Sequence, residues 1–176
     1  MTGCAQNNIV HLSYPPAGGN AIQASRQSRV CVVDFENLRN RYDIGSRLDG
    51  TLILPRTAVE RWLALGLAAE LTRSGYTVVT AETLPEALAT GADYIVTGES
   101  LEVRLAENSI TRFTATVRTN ITLMQGGGAP LTTNGYNSVF SRTIISINRS
   151  VPQTLLDEAL AEMLHPATEL LTKIMP

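Results

Sequence analysis

Lysine is almost missing from this chain: Lys173 is the only one, and the other basic residues are arginines spread along the sequence. With 14 basic against 16 acidic residues the formal net charge is −2, so no basic stripe is available to track a nucleic acid backbone. Histidine is scarce too, at His11 and His165. A hydrolytic triad needs a histidine beside a nucleophile, and these two fall in an N-terminal polar segment and in the last helix. Neither reads as a metal ligand: His11 has no second His, Cys or carboxylate at ligand spacing, and His165 reads as a satisfied structural histidine. No apolar run approaches the ~20 residues with which a helix crosses a bilayer. Dinucleotide fingerprints, Walker loops and zinc spacings are absent as well. No catalytic set, cofactor or metal is therefore expected.

What is present is a globular composition, 44% hydrophobic and 17% charged, in 176 residues. That length suits one domain with a tail. The two cysteines differ in setting. Cys31 lies in the apolar run Val30-Cys-Val-Val33 and reads as a small buried hydrophobe. Cys4 lies in Thr2-Gly3-Cys4-Ala5, ahead of a polar stretch. A bridge between them would tie a tail to a core strand and is not expected. Thr-Gly-Cys resembles the end of a bacterial lipobox, in which a small residue precedes the cysteine that becomes lipidated, although Met1 stands where leucine is usual.

Residues 1–28 hold Pro15-Pro16, Gly18-Gly19 and many Asn, Gln and Ser, with little apolar surface to offset chain entropy. They are expected to form a flexible tether, in which Ile9, Val10, Leu12 and Tyr14 are a short segment able to dock. Residues 29–176 are expected to form a single globular domain. Arg29–Phe35 reads as a central strand, and Thr51–Leu54 as a short extended entry. Thr57–Tyr76 reads as an amphipathic helix with Val59, Trp62, Leu63, Leu67 and Leu71 inward, a Thr57/Glu60 capping box and a stop at Ser74-Gly75. A strand follows at once, then a short helix capped by Thr83 and Glu86 with Pro85 in its first turn.

From Asp93 the hydrophobic period changes to two. Leu101, Val103 and Leu105 alternate with charged residues, and Phe113, Ala115, Val117, Ile121 and Leu123 alternate with polar ones, as in antiparallel strands with one wet face. Asn108-Ser109 is the expected turn between them. Gly126–Gly128 opens a hairpin turn; no helix and no Lys-Ser/Thr pair follows, so it is no phosphate loop. The return strand lies within Leu131–Arg142, and Ile144–Asn148 reads as a short extended piece. Ser150/Gln153 make a third capping box for a final helix to about Ile174, bent near Pro166. The expected fold is α+β with an α/β start: a mixed, largely antiparallel sheet with two long helices packed on one face.

Acidic residues offer the remaining chemistry. Asp34, Glu36, Asp43 and Asp49 suggest a metal site, but Arg39, Arg41 and Arg47 are interleaved with them and favour ion pairs. A carboxylate pair, Glu99 with Glu102 or Asp34 with Glu36, is the alternative from which an enzyme acting on envelope material would start.

Asp34, the Arg41-Tyr-Asp-Ile-Gly45 loop, the leucine-rich helix running to Arg73-Ser-Gly-Tyr76, and Ala92-Asp-Tyr-Ile-Val96 leading into paired strands resemble the YajG-type bacterial lipoproteins. More distantly the chain is similar to auxiliary lipoproteins of ABC-type transport systems. The resemblance spans Val30 to about Leu171. It implies an outer-membrane lipoprotein of a Gram-negative bacterium, facing the periplasm, with a signal peptide and with acyl chains such as palmitate on Cys4. Ala5 after that cysteine favours outer-membrane sorting. It further implies no assigned reaction, a protein partner in the envelope and room for a homo-oligomer. Non-catalytic binding or scaffolding is then the expected role, with an ABC-transport auxiliary subunit as the alternative.

Overall fold

The computed structural model describes residues 8–14, 28–143 and 151–175. β2 (Arg29–Val33) is flanked on both sides by parallel strands. Cys31 pairs with Val79 of β6 (Thr77–Ala81) and with Ile95 of β7 (Tyr94–Ser109). Val30 and Val32 enter the main core under α1 (Val59–Arg73), while Cys31 and Val33 join a smaller cluster with Ala87 of α2 (Leu84–Ala89). Four consecutive apolar residues are thus all buried because both faces of this strand are covered, the usual state of parallel strands.

β7 is the spine of the sheet. One edge pairs successively with β2, with β3 (Glu36–Asn37) and with β4 (Gly45–Ser46). The other edge pairs along its length with β8 (Arg112–Gln125), which in turn pairs with β9 (Pro130–Thr143). β5 (Leu52–Pro55) lies antiparallel to β4, and β1 (Ile9–Val10) lies parallel to β5. Phe113, Ala115, Val117, Ile121 and Leu123 turn inward at period two, beneath α3 (Val151–Ile174). Thr119 keeps that period and is buried as well, its hydroxyl 3.5 Å from Met163 Sδ.

Two long helices on one sheet face are not what forms. Strands take 44% of the described residues and helices 30%, the sheet curls into a half-barrel, and only α3, at 24 residues, is a long helix. α1 has 15 residues and covers the parallel strands, whereas α3 lies along β8 and β9. Curling comes from long twisted strands broken by register shifts at Ser100/Glu102 and Glu107/Ser109, since a bulge bends its strand and increases local twist. Local periodicity records alternation but not curvature.

Smaller features also differ. Ala58, not Thr57, is the N-cap of α1, and no side chain caps it. Glu60 therefore sits one position too early for a capping box, and its side chain accepts from Asn37 Nδ2 at 3.3 Å instead. The C-terminus follows the sequence: Gly75 takes φ +92° and donates to the Thr72 carbonyl, and Tyr76 N–H reaches the Leu71 carbonyl at 3.2 Å. Thr83 and Glu86 form the reciprocal box at the start of α2. β7 and β8 meet at Ile110-Thr111 rather than Asn108-Ser109, because Ser109 still pairs with Arg112. α3 continues through Pro166 as one helix. Ser150 and Ile144–Asn148 lie outside the described residues, as does Cys4.

Val10, Leu12 and Tyr14 dock on the body: Val10 and Leu12 are core residues, and Tyr14 packs against the core. Tyr14 OH donates to Glu70 of α1, which Arg73 also holds at 2.6 Å. Burial, with Glu70 alongside, pushes the Tyr14 phenol well above its ordinary range. Gln153 of α3 donates to the Ser13 carbonyl at 3.0 Å.

Candidate binding cleft

An acidic concavity opens beyond the carboxyl ends of β2 and β6, where the chain leaves Val33 for Asp34 and Ala81 for Glu82. Crevices at such strand ends are the common binding place of α/β sheets. Its volume is about 650 Å³. Asp34, Glu36, Glu60, Glu82 and Glu99 bring carboxylates to its wall, with Phe35 and Met124 among the apolar lining. Glu99 and Met124 project from the outer face of β7 and β8, and Glu60 from the first turn of α1.

Three of the acids named from sequence thus share one wall: Asp34, Glu36 and Glu99. Glu60 and Glu82 join them only through the fold, because they come from a helix start and a strand end distant in the chain. Asp34 is held by Arg61, whose Nη1 lies 3.1 Å from both carboxylate oxygens. Glu99 accepts from Asn120 Nδ2 at 2.8 Å. Among the described residues no group of three or more His, Cys, Asp or Glu is placed to hold a metal ion. The wall presents negative charge and apolar surface, and among the described residues neither cysteine nor histidine lines it.

The remaining candidates lie apart. Asp43 is buried against Arg41 (Nη2 at 2.5 Å, Nε at 3.1 Å) and also accepts from Gly45 N–H at 3.0 Å, so it braces its own loop. Asp49 accepts from Thr51 N–H at 2.9 Å within the β4–β5 turn, a bond that lowers its pKa. Arg39 reaches Asn37 and the Asp43 carbonyl. Arg47 goes elsewhere, to Asn8 and Glu107. Glu102 lies 3.8 Å from Arg118 on the wet face. Cys31 is fully buried, and burial pushes its thiol up, which suits a packing residue. His11 is exposed, and His165 stands exposed on α3 with Nε2 3.5 Å from Glu169. Gly126–Gly128 form the β8–β9 turn, closed by Gln125 N–H to the Ala129 carbonyl.

Away from the cleft, another acid was not singled out from the sequence. Asp157 lies on α3, where burial raises its pKa to about 6 against the opposing hydrogen bond from Gln153 Nε2 at 2.7 Å. Helical spacing alone does not separate it from its neighbour Glu158, which pairs with Arg142 at 2.7 Å.

No family model matches the chain, and no curated protein matches it in sequence. Solved structures do share its fold. Protein XCC0632 from Xanthomonas campestris, of the DUF330 family, is 14% identical with a TM-score of 0.62, over 95% of this chain and 94% of that one. PelC from Paraburkholderia phytofirmans, crystallised as a dodecamer, is 17% identical with a TM-score of 0.50, over 82% and 95%. A more distant likeness is to lipoprotein GNA1162 from Neisseria meningitidis, at 17% identity and a TM-score of 0.42, over 77% and 96%.

Proposed function

We propose that the protein is a non-catalytic domain of the Gram-negative cell envelope, held at the outer membrane by a lipid on Cys4 and facing the periplasm. It acts by binding or scaffolding other envelope components. The observation that carries this reading is Cys4 in Thr2-Gly3-Cys4-Ala5, placed shortly before the segment that reaches the body. Cys4 stands four residues before Asn8, and from there to Tyr14 the chain is fastened to the body by β1–β5 pairing, by Val10 and Leu12 in the core and by Tyr14 on Glu70. A lipid on Cys4 would hold the folded domain itself. Residues 8–14 of the expected tether 1–28 thus pack with the globular body 29–176. The Thr-Gly-Cys motif and the resemblance to YajG-type lipoproteins support this reading. So does an acidic cleft whose candidate Asp34 and Glu99 are already engaged.

Mass spectrometry of the native protein from membranes tests it. Cys4 should carry acyl chains, and Cys4→Ser should move the protein to the soluble fraction. An unmodified Cys4 in a soluble native protein would overturn it.

An auxiliary subunit of an ABC-type transport system is the second reading, favoured by β9. Among the described residues this 14-residue strand pairs only with β8, leaving a long edge open to a partner strand. Recovery of a permease or substrate-binding subunit with the membrane-extracted protein would select this reading. The dodecameric state of PelC supports a second copy as the edge's partner, which sedimentation of the detergent-solubilised protein would reveal.

A further inference from the structure

Four exposed aliphatic side chains share one end of the sheet. Leu48 lies in the β4–β5 turn, Leu52 opens β5, Ile110 lies in the β7–β8 turn and Ile9 opens β1. Strand register brings these points together: Ser46 pairs with both Leu52 and Ala106, and Ile9 pairs with Leu54. Ile110 is 72% exposed, Ile9 54%, Leu48 53% and Leu52 39%. Single exposed aliphatics are ordinary, whereas four gathered at one end of a sheet make a patch that a partner surface can cover.

Arg47 fixes where the chain enters. Its Nε donates to Asn8 Oδ1 at 2.8 Å, its Nη1 lies 3.6 Å from Glu107 Oε2, and the Asn8 carbonyl accepts from Leu54 N–H at 2.8 Å. β1 runs from this end into the body. From Asn8 back to Cys4 is four residues, a reach of about 14 Å at full extension. The opposite end of the sheet, at Gly126–Gly128, is far beyond that reach, since the 16-residue β7 alone spans roughly 50 Å.

We propose that this end is the membrane-facing surface: the 47–51 and 110–111 turns rest on the bilayer, with Ile110 and Leu48 entering its interfacial layer. The inference rests on the lipid at Cys4 and adds an orientation to it. The formal charges at this end, Arg47 and Arg112 against Asp49 and Glu107, cancel, so an anionic leaflet does not repel it.

The test uses the full lipidated protein in phosphatidylethanolamine–phosphatidylglycerol vesicles, with an environment-sensitive fluorophore on Ile110→Cys or, as the control, on Gly127→Cys. Cys31 is fully buried and the lipid blocks Cys4; Gly127 has open space around it. Emission at position 110 should rise severalfold, shift to the blue and be quenched by doxyl-labelled lipid, while position 127 keeps an aqueous spectrum. Acylated Cys4 with both probes aqueous, or with both quenched alike, overturns this orientation and leaves the anchor standing. Shielding at 110 only when a second protein is added likewise overturns it and assigns that end to a protein. An unmodified Cys4 in the mass spectrum removes the anchor reading and this one with it.

Discussion

The two halves of the sheet solve burial differently. In the parallel half β2 is five residues long and covered on both faces, so successive side chains point into two separate clusters. In the hairpin half β7, β8 and β9 run for 14 to 16 residues, and β8 alternates between the core beneath α3 and an outer face of Thr114, Thr116, Arg118 and Thr122. Short two-sided strands confine packing, whereas long one-sided strands leave a broad polar face and an open edge. Function placed on the second half therefore interferes least with stability.

The sharpest break comes where the halves join. A Cβ at Gly45 would stand 1.8 Å from the Leu105 carbonyl oxygen, and φ there is +146°. Gly45→Ala should cost about 4 kcal/mol, from backbone collision and a strained dihedral together. Urea unfolding would show it, and a loss under 1 kcal/mol would mean that β4 does not hold β7 as described.

Neighbouring substitutions then separate the halves. Val32→Ala and Val33→Ala point to opposite faces of β2, yet each should cost about 2 kcal/mol, because each empties a buried site. On β8, Val117→Ala should cost a similar amount while Thr116→Ala stays within about 0.5 kcal/mol. Equal losses at 116 and 117 would show that the outer face is covered.

A smaller effect concerns α3, and its sign follows from Asp157. Between the ordinary aspartate pKa of 3.8 and its folded value of about 6, the folded state holds a proton that the unfolded state has released. This contribution to stability is therefore greatest below pH 3.8, falls as pH rises to about 6, and is flat beyond. Asp157→Asn, which keeps an oxygen for Gln153, should raise stability at pH 7 by about 1 kcal/mol after allowance for solvent screening. The gain should vanish near pH 4. Thermal melts at the two pH values measure it, and an equal gain at both would assign the effect to something other than ionisation.

Elements with strong local signals were legible in the chain: the apolar run at Val30–Val33, the α1 stripe with its Gly75 stop, the Thr83/Glu86 box, and the alternation at Phe113–Leu123. Each depends on residues a few positions apart. The α1 cap was misread because Thr57 and Glu60 have the right spacing while the backbone starts its helix one residue later. The cleft was legible only in fragments. Asp34, Glu36 and Glu99 stood out as charges, but Arg61, Glu60 and Glu82 join them across the fold, and no local pattern links a helix start to a strand end.

Residue order by itself determined which segments are helical or extended, which sides are apolar, and the position of a lipobox-like cysteine, since these follow from backbone preference and hydrophobic period over one or two turns. Tertiary structure alone decided the curl of the sheet, the gathering of five acidic residues around one cleft, and the fastening of residues 8–14 beside the 47–51 and 110–111 turns. Those depend on strand register and on contacts between positions up to 140 residues apart, such as Gln153 with Ser13. Such contacts exist only once the intervening chain has paid its entropy of ordering.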